Sequence, residues 1–380
     1  MNNKLLEFTI ICCKTRLTDK DTKILHEHIK TLNVEDIIKF TLKHGVLPII
    51  YQILKNKDNI PKDILSDLKQ YYLKIAKKNM LMSAELIQIV KLLEENNIKT
   101  ISFKGPTLSK LAYKDITLRQ YGDLDILISK DDLYKTAYIL NKNYNLYGSI
   151  ELLKNNVWLD ISKDITLQHK TKGIILELHW KLFHSTFAKT DSSIDVWMDT
   201  KKISLHNNTI TTLNINILLS YLCIHGSRHL WERIEWIVDI DRIIRTQEID
   251  WSYVLKASQS FYATNMLLLG ISLSYTLLDT PIPDEIKTKI SNPKIIKLQN
   301  TILDILTNHT SETTSTSNVF KRKKIHASMQ DSLYRQLLFW KNVLFAKNYT
   351  TILEEKQHKI KSKFDFSRPY KLIHKFIFKL

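Results

Sequence analysis

Glycine, proline and cysteine are all scarce in this chain: seven, seven and three residues out of 380. So few turn formers argue against a turn-rich sandwich or barrel and for long helices. The cysteines are Cys12, Cys13 and Cys223, an odd set with two adjacent members. That pattern points to a reducing compartment rather than a disulfide framework. Long apolar runs are missing too. The N-terminal "LLEFTIICC" is interrupted by Glu7 and lacks a small-residue cleavage site, so no secretion signal is expected. "NMLLLGISLSYTLL" stops short of the roughly 18 apolar residues of a membrane span. A cytoplasmic protein is the expectation.

Positive charge is abundant. The net charge is +17, and residues 319–380 carry 15 Lys/Arg against 4 Asp/Glu. A basic balance suits nucleic acid, an anionic membrane surface or a phosphorylated ligand. A bland reading stands beside these: an AT-rich genome favours Lys, Asn and Ile codons, and this chain is rich in all three.

Apolar spacing predicts helices through residues 1–80, with a break at Asn59-Ile60-Pro61 and a second helix after Pro61; a third, "SAELIQIVKLLEENN", has Ser83 as a plausible N-cap. The period then changes. "IKTISF" and "DLDILI" read as strands around a short helix, "TLSKLAY"; "DDLYKTAYILNKN" reads as a helix. "WLDISKDITLQHK" and "GIILELHW" read as a strand pair joined through Thr171-Lys172-Gly173, and Asn207-Asn208 suggests a small hairpin. Helices resume after Asn214, and "HTSETTSTSN" (309–318) reads as a flexible loop. The fold class is α+β, a small mixed sheet between helical flanks. The expected divisions are an N-terminal helical region (1–80), a core (81–205), a helical domain closing a cleft (206–308) and a loop with a basic helical tail (309–380).

The stretch "FKGPTLSKLAYKDITLRQYGDLDILI" gathers most of the candidate chemistry. Alternation along a strand points Asp123 and Asp125 to one face, about 7 Å apart, with Leu124 and Ile126 on the other. Paired carboxylates call for a positive partner, typically a hard divalent cation. In "IILELHW", Glu177 shares a face with His179, and a strand paired beside Asp123 and Asp125 would complete a three-carboxylate cluster suited to in-line phosphoryl or nucleotidyl transfer. Gly105 sits where a strand meets a helix, so its backbone can approach a phosphate at a helix N-terminus. Lys104 and Arg119 bring charge to the same place.

This arrangement resembles the DNA polymerase beta-like nucleotidyltransferase superfamily, and within it a bacterial family of uncharacterised nucleotidyltransferases in which Lys-Gly replaces the usual Gly-Ser turn. "GIILELHWKL" looks like its third-carboxylate segment and "LCIHGSRHLWERIEWIVDIDRII" like its downstream helix; the likeness spans residues 35–250. The resemblance implies a polymerase beta-like core, metal ligands at Asp123, Asp125 and Glu177, and nucleotide-phosphate binding by Lys104 and Gly105. It implies Mg²⁺ (or Mn²⁺) as cofactor and an NTP as co-substrate. The acceptor is left open among a small molecule, a peptide and RNA. With the turn serine absent, the resemblance implies that Lys104 takes over its charge role.

His225 and His229 are four apart on a helix, with Glu232 one turn on. They read as core packing, as a nucleotide-pocket wall with Arg228, or as zinc ligands without an evident fourth group. His179 reads as a group behind the metal, a proton acceptor or a structural histidine. "KRKK" (321–324) suits phosphates or a solvated loop. Lys371, Lys375 and Lys379 line one side of an amphipathic helix that would touch an anionic membrane, bind an acidic partner or pack on its own domain. The rival to an enzyme is a non-catalytic member of the fold that binds RNA, peptide or an anionic surface.

Overall fold

The computed structural model describes residues 2–148, 150–184, 186–188, 194–308 and 316–345. Five helices open the chain: α1 (Asn2–Cys13), α2 (Asp19–Ile29), α3 (Val34–Lys43), α4 (Leu47–Leu54) and α5 (Lys62–Glu95). Thr18 and Asp21 start α2 with a reciprocal capping box, which satisfies two backbone donors that the helix itself cannot. The Asn33 side chain caps α3 in the same spirit.

The α/β part follows as β1 (Ile101–Ser102), α6 (Gly105–Tyr113), β2 (Asp123–Leu127), α7 (Leu133–Leu140), β3 (Tyr144–Leu146), a 3-10 turn (Ile150–Lys154), α8 (Asn156–Ile161), β4 (Asp164–His169) and β5 (Ile175–His179). The five strands form one mixed sheet in the order β1-β2-β5-β4-β3. Strands β2 and β5 run parallel, with Asp125 opposite Glu177, while the other pairs are antiparallel. A separate hairpin, β6 (Thr200–Leu205) and β7 (Asn208–Leu213), turns through His206 and Asn207 at φ 46 and 62. Positive φ at both turn positions matches the twist of a two-residue hairpin.

Helices then dominate: α9 (Ile215–Arg228), α10 (Ile234–Thr246), α11 (Trp251–Ser260), α12 (Thr264–Leu278), α13 (Asp284–Ile290), α14 (Pro293–Asn308), α15 (Thr316–Ser328) and α16 (Leu333–Phe345). The whole is an α+β architecture. None of the described helices is long and apolar enough to cross a membrane.

Two apolar clusters hold these parts. Leu86 and Val90 of α5 pack with Leu124, Ile126, Leu176 and Leu178 of the sheet. Those strand residues anchor one face, so alternation delivers Asp125 and Glu177 to the other. The second cluster joins Phe8, Leu25 and Ile50 of the N-terminal helices to Ile237 and Leu269 of α10 and α12. The first and last thirds of the described chain thus share a core.

Several local expectations are corrected. Residues 62–95 form one unbroken α5, so Ser83 lies buried inside that helix instead of capping a third one. The first half of "WLDISKDITLQHK" is helix α8, begun by the Asn155 side chain accepting from the Trp158 N–H at 3.1 Å; its second half is the expected strand. The short edge strand β3 has no alternating pattern to announce it. Only Ile101 and Ser102 of "IKTISF" pair as strand. Residues 316–318, read as loop, open α15, and 309–315 lie outside the described residues. The basic helix of Lys371, Lys375 and Lys379 also lies outside them.

Candidate active site

A cleft of about 390 Å³ opens where the β2–β5 pair meets α6, α9 and α10. That is within the size range of small-ligand sites. A larger groove of about 640 Å³ lies between α1, α2 and α12, but it is shallow and lacks a comparable set of converging charges. The smaller cleft is where the chemistry gathers.

Lys104 caps α6, and Gly105 follows at φ +53 with a Cβ there only 3.3 Å from the Asp123 carbonyl oxygen. A larger residue would be both strained and crowded at that turn. Lys104 Nζ donates to Asp125 Oδ1 at 2.7 Å. Burial works against the lysine's charge, but the carboxylate beside it prevails and raises its pKa. Burial likewise works against ionised Asp125, yet Lys104 and His179 hold its pKa well below the usual carboxylate range. Asp125 Oδ2 is buried and has no hydrogen-bond partner.

Fully buried His179 joins the carboxylates from below. Its Nε2 lies 3.1 Å from Asp125 Oδ1 and 3.4 Å from Glu177 Oε2; its Nδ1 lies 3.4 Å from Lys163 Nζ and 3.6 Å from Asp164 Oδ2. The hydrogen bond from His179 lowers the Glu177 pKa, whereas burial and then Asp125 raise that of Asp123. Ligand atoms of Asp125, Glu177 and His179 lie within 4.8 Å of one another, a grouping able to hold a metal ion. Asp123, at the start of the same strand, lines the cleft without joining that group. The oxygen-rich donors and the unpartnered Asp125 Oδ2 suit a hard divalent cation.

Arg119 lines the cleft, but its guanidinium is engaged elsewhere. Nε donates to Asp239 Oδ1 and Nη2 to Asp239 Oδ2, both at 2.9 Å, in a buried bidentate pair. Asn79 Nδ2 donates to the Ile116 and Arg119 carbonyls at 2.8 Å, fixing the loop that leads into β2. Arg119 therefore ties α10 to that loop.

His225, Arg228 and His229 line the opposite wall with Tyr221. Trp236 packs against both imidazoles, 5.5 Å from His225 and 5.1 Å from His229. Burial lowers the pKa of both, His229 to about 4, so neither adds positive charge at neutral pH. Arg228 supplies charge on that wall.

Sequence patterns did not single out Lys163, Arg233 or Glu235. Lys163 pairs with neighbouring Asp164, and burial and then Arg228 lower its pKa to about 8. It could have been suspected only by laying "SKDIT" beside β5. Arg233 and Glu235, at the start of α10, pack against the turn between α3 and α4, which no local pattern reveals.

Comparison with curated proteins finds no match. A model of a family described as uncharacterised nucleotidyltransferase matches residues 30–279, spanning every side chain of this cleft. The chain belongs to that family of nucleotidyltransferases.

Proposed function

We propose that this protein transfers a nucleoside monophosphate from an NTP to an acceptor hydroxyl or phosphate and releases pyrophosphate. The observation that carries the reading is the parallel register of β2 and β5, which sets Glu177 opposite Asp125, with Lys104 Nζ 2.7 Å from Asp125. A binding module has no need to bury carboxylates this way.

Asp123, Asp125 and Glu177 would hold Mg²⁺ or Mn²⁺, which when bound lowers the charge barrier at the reacting phosphate. Lys104 and the Gly105 turn at the α6 N-terminus would cradle triphosphate oxygens. Arg228 would face them from α9, with His225 and His229 as neutral hydrogen-bonding partners. Arg119 would position the β2 loop through its buried pair with Asp239. The acceptor oxygen bonds to the α-phosphorus, the bond from that phosphorus to the bridging oxygen breaks, and pyrophosphate leaves. The acceptor's proton passes to the carboxylate face. Small-molecule, peptide and RNA acceptors all fit this scheme.

The test is incubation with each α-labelled NTP, Mg²⁺ and representatives of the three acceptor classes. Label transfer and pyrophosphate release are expected from the wild type and not from Asp123→Ala/Asp125→Ala. Equal background from both proteins with every acceptor would sink the proposal.

A further inference from the structure

A second recess adjoins the catalytic cleft, and Gly122 lines both. The recess holds about 330 Å³, enough for a small organic molecule. Helix α5 and the turn between β4 and β5 form its walls. Leu81, Met82, Ala84 and Ile174 give it an apolar lining, and Lys78 and Lys172 bring cations to it. Met82 and Ile174 are buried, while Leu81 is 60% exposed. Leu73 and Met80 continue this exposed apolar surface along the same face of α5. A contiguous apolar surface held in water beside an open recess marks a binding site more often than a solvated helix.

Charge at this place is one-sided. Residues 68–84 hold Lys69, Lys74, Lys77 and Lys78 and no acid. Glu85 does not balance them. Its Oε1 accepts from the Tyr144 hydroxyl at 2.6 Å, and its Oε2 accepts from Lys172 Nζ. Lys172 is thereby neutralised, whereas Lys78 makes no ion pair among the described residues. Gly122 is a second unexplained feature. No atom lies within 4 Å of the place its Cβ would take, and its φ is not positive, so neither packing nor backbone demands a glycine. A chain with only seven glycines nevertheless keeps one where a side chain would stand at the junction of cleft and recess. Asp123 is the next residue, its Cα about 3.8 Å further on.

We propose that this recess binds the acceptor of the transfer reaction, and that the acceptor is a hydroxy acid with an apolar body. The body lies against Leu81, Met82 and Ile174, the acidic group meets Lys78, and the hydroxyl passes over Gly122 to Asp123. The hydroxyl oxygen bonds to the α-phosphorus of the NTP, the bond from that phosphorus to the bridging oxygen breaks, and pyrophosphate leaves. The hydroxyl proton passes to the carboxylate face. A neutral alcohol forgoes the lysine, and an amine is repelled by the surrounding positive charge.

This inference rests on the nucleotidyl-transfer reading of the cleft, and titration calorimetry at low salt separates the two. The acceptor probes are 4-hydroxyphenylpropanoate, its neutral methyl ester and the cation tyramine. The nucleotide probes are the α,β-methylene analogues of the four NTPs with Mg²⁺. The acid is expected to bind the wild type about fivefold or more tighter than the ester or the amine. Lys78→Glu and Leu81→Glu, both at exposed positions, should weaken the acid about tenfold and leave nucleotide affinity within about twofold. Gly122→Val should melt like the wild type, since nothing crowds its Cβ, and lose the transfer of α-label to the acid that the wild type performs. Equal affinity for the three acceptor probes, no binding of the acid, wild-type behaviour of the variants, or acid that binds without receiving label overturns the acceptor recess alone. Failure of all four nucleotide analogues to bind overturns the nucleotidyl-transfer reading with it.

Discussion

Lys104 Nζ lies 2.7 Å from Asp125 Oδ1, and each charge is buried against the other. Two ions inside a protein are tolerable only as a pair, so the lysine stabilises Asp125 as a carboxylate and leaves Oδ2 open. Asp125→Asn should remove one oxygen of the proposed metal site and isolate the lysine at once. We expect transfer to fall by on the order of a hundredfold or more and urea stability to fall by about 3 kcal/mol. A variant with full activity would contradict the assignment.

The Arg119–Asp239 pair predicts non-additivity. Removing one partner of a buried bidentate pair costs about 3–5 kcal/mol, whereas replacing both by apolar groups costs far less than the sum. Urea titrations of Arg119→Met, Asp239→Leu and the double variant should give a coupling of at least about 2 kcal/mol. Tyr113, whose hydroxyl donates to Asp239 Oδ1 at 2.8 Å, makes the Asp239 single variant the costlier of the two. Additive losses would show that the pair does not hold α10 to the β2 loop.

Gly45→Ala places a methyl group against Glu235 and forces a side chain into a positive-φ position. The expected cost is at least about 2 kcal/mol. In a Glu235→Ala background the carboxylate collision disappears, leaving backbone strain and a 2.8 Å approach to the flexible Arg233 guanidinium, so the cost should drop to about 1 kcal/mol. An unchanged cost in that background would remove the carboxylate as its cause.

Glu235 also predicts a pH dependence. Burial raises its carboxyl from 4.5 to about 7, ahead of the opposing Arg119 and Arg233 charges. The folded chain therefore keeps a proton that the unfolded chain releases. Its contribution to stability is full below about pH 4.5 and is lost as pH rises to about 7. Glu235→Gln should melt closer to wild type at about pH 5 and gain on it by about 2 kcal/mol at about pH 8. Parallel curves for the two proteins across that window would refute the shift.

How much of this was legible beforehand depends on range. Asp123 and Asp125 were readable because alternation along a strand is a local rule, and Glu177 because its strand has the same alternation. The helix flanks were readable from apolar spacing. Asp239 as the partner of Arg119 was not, for the two lie 120 residues apart and nothing local links them. Helix α8 was misread as strand because a six-residue helix held by one Asn155 cap has too few turns to show a period. His179 was weighed among several roles, and only packing brought its ring between Asp125 and Lys163.

The turn at Leu42–Gly45 sits between two N-terminal helices, yet it receives Gln120 and the start of α10. A shortened chain that began at α5 would keep every carboxylate and still lack the ledge on which Gln120 and Glu235 rest. Anyone trimming this protein to a minimal catalytic unit would have to begin before α3.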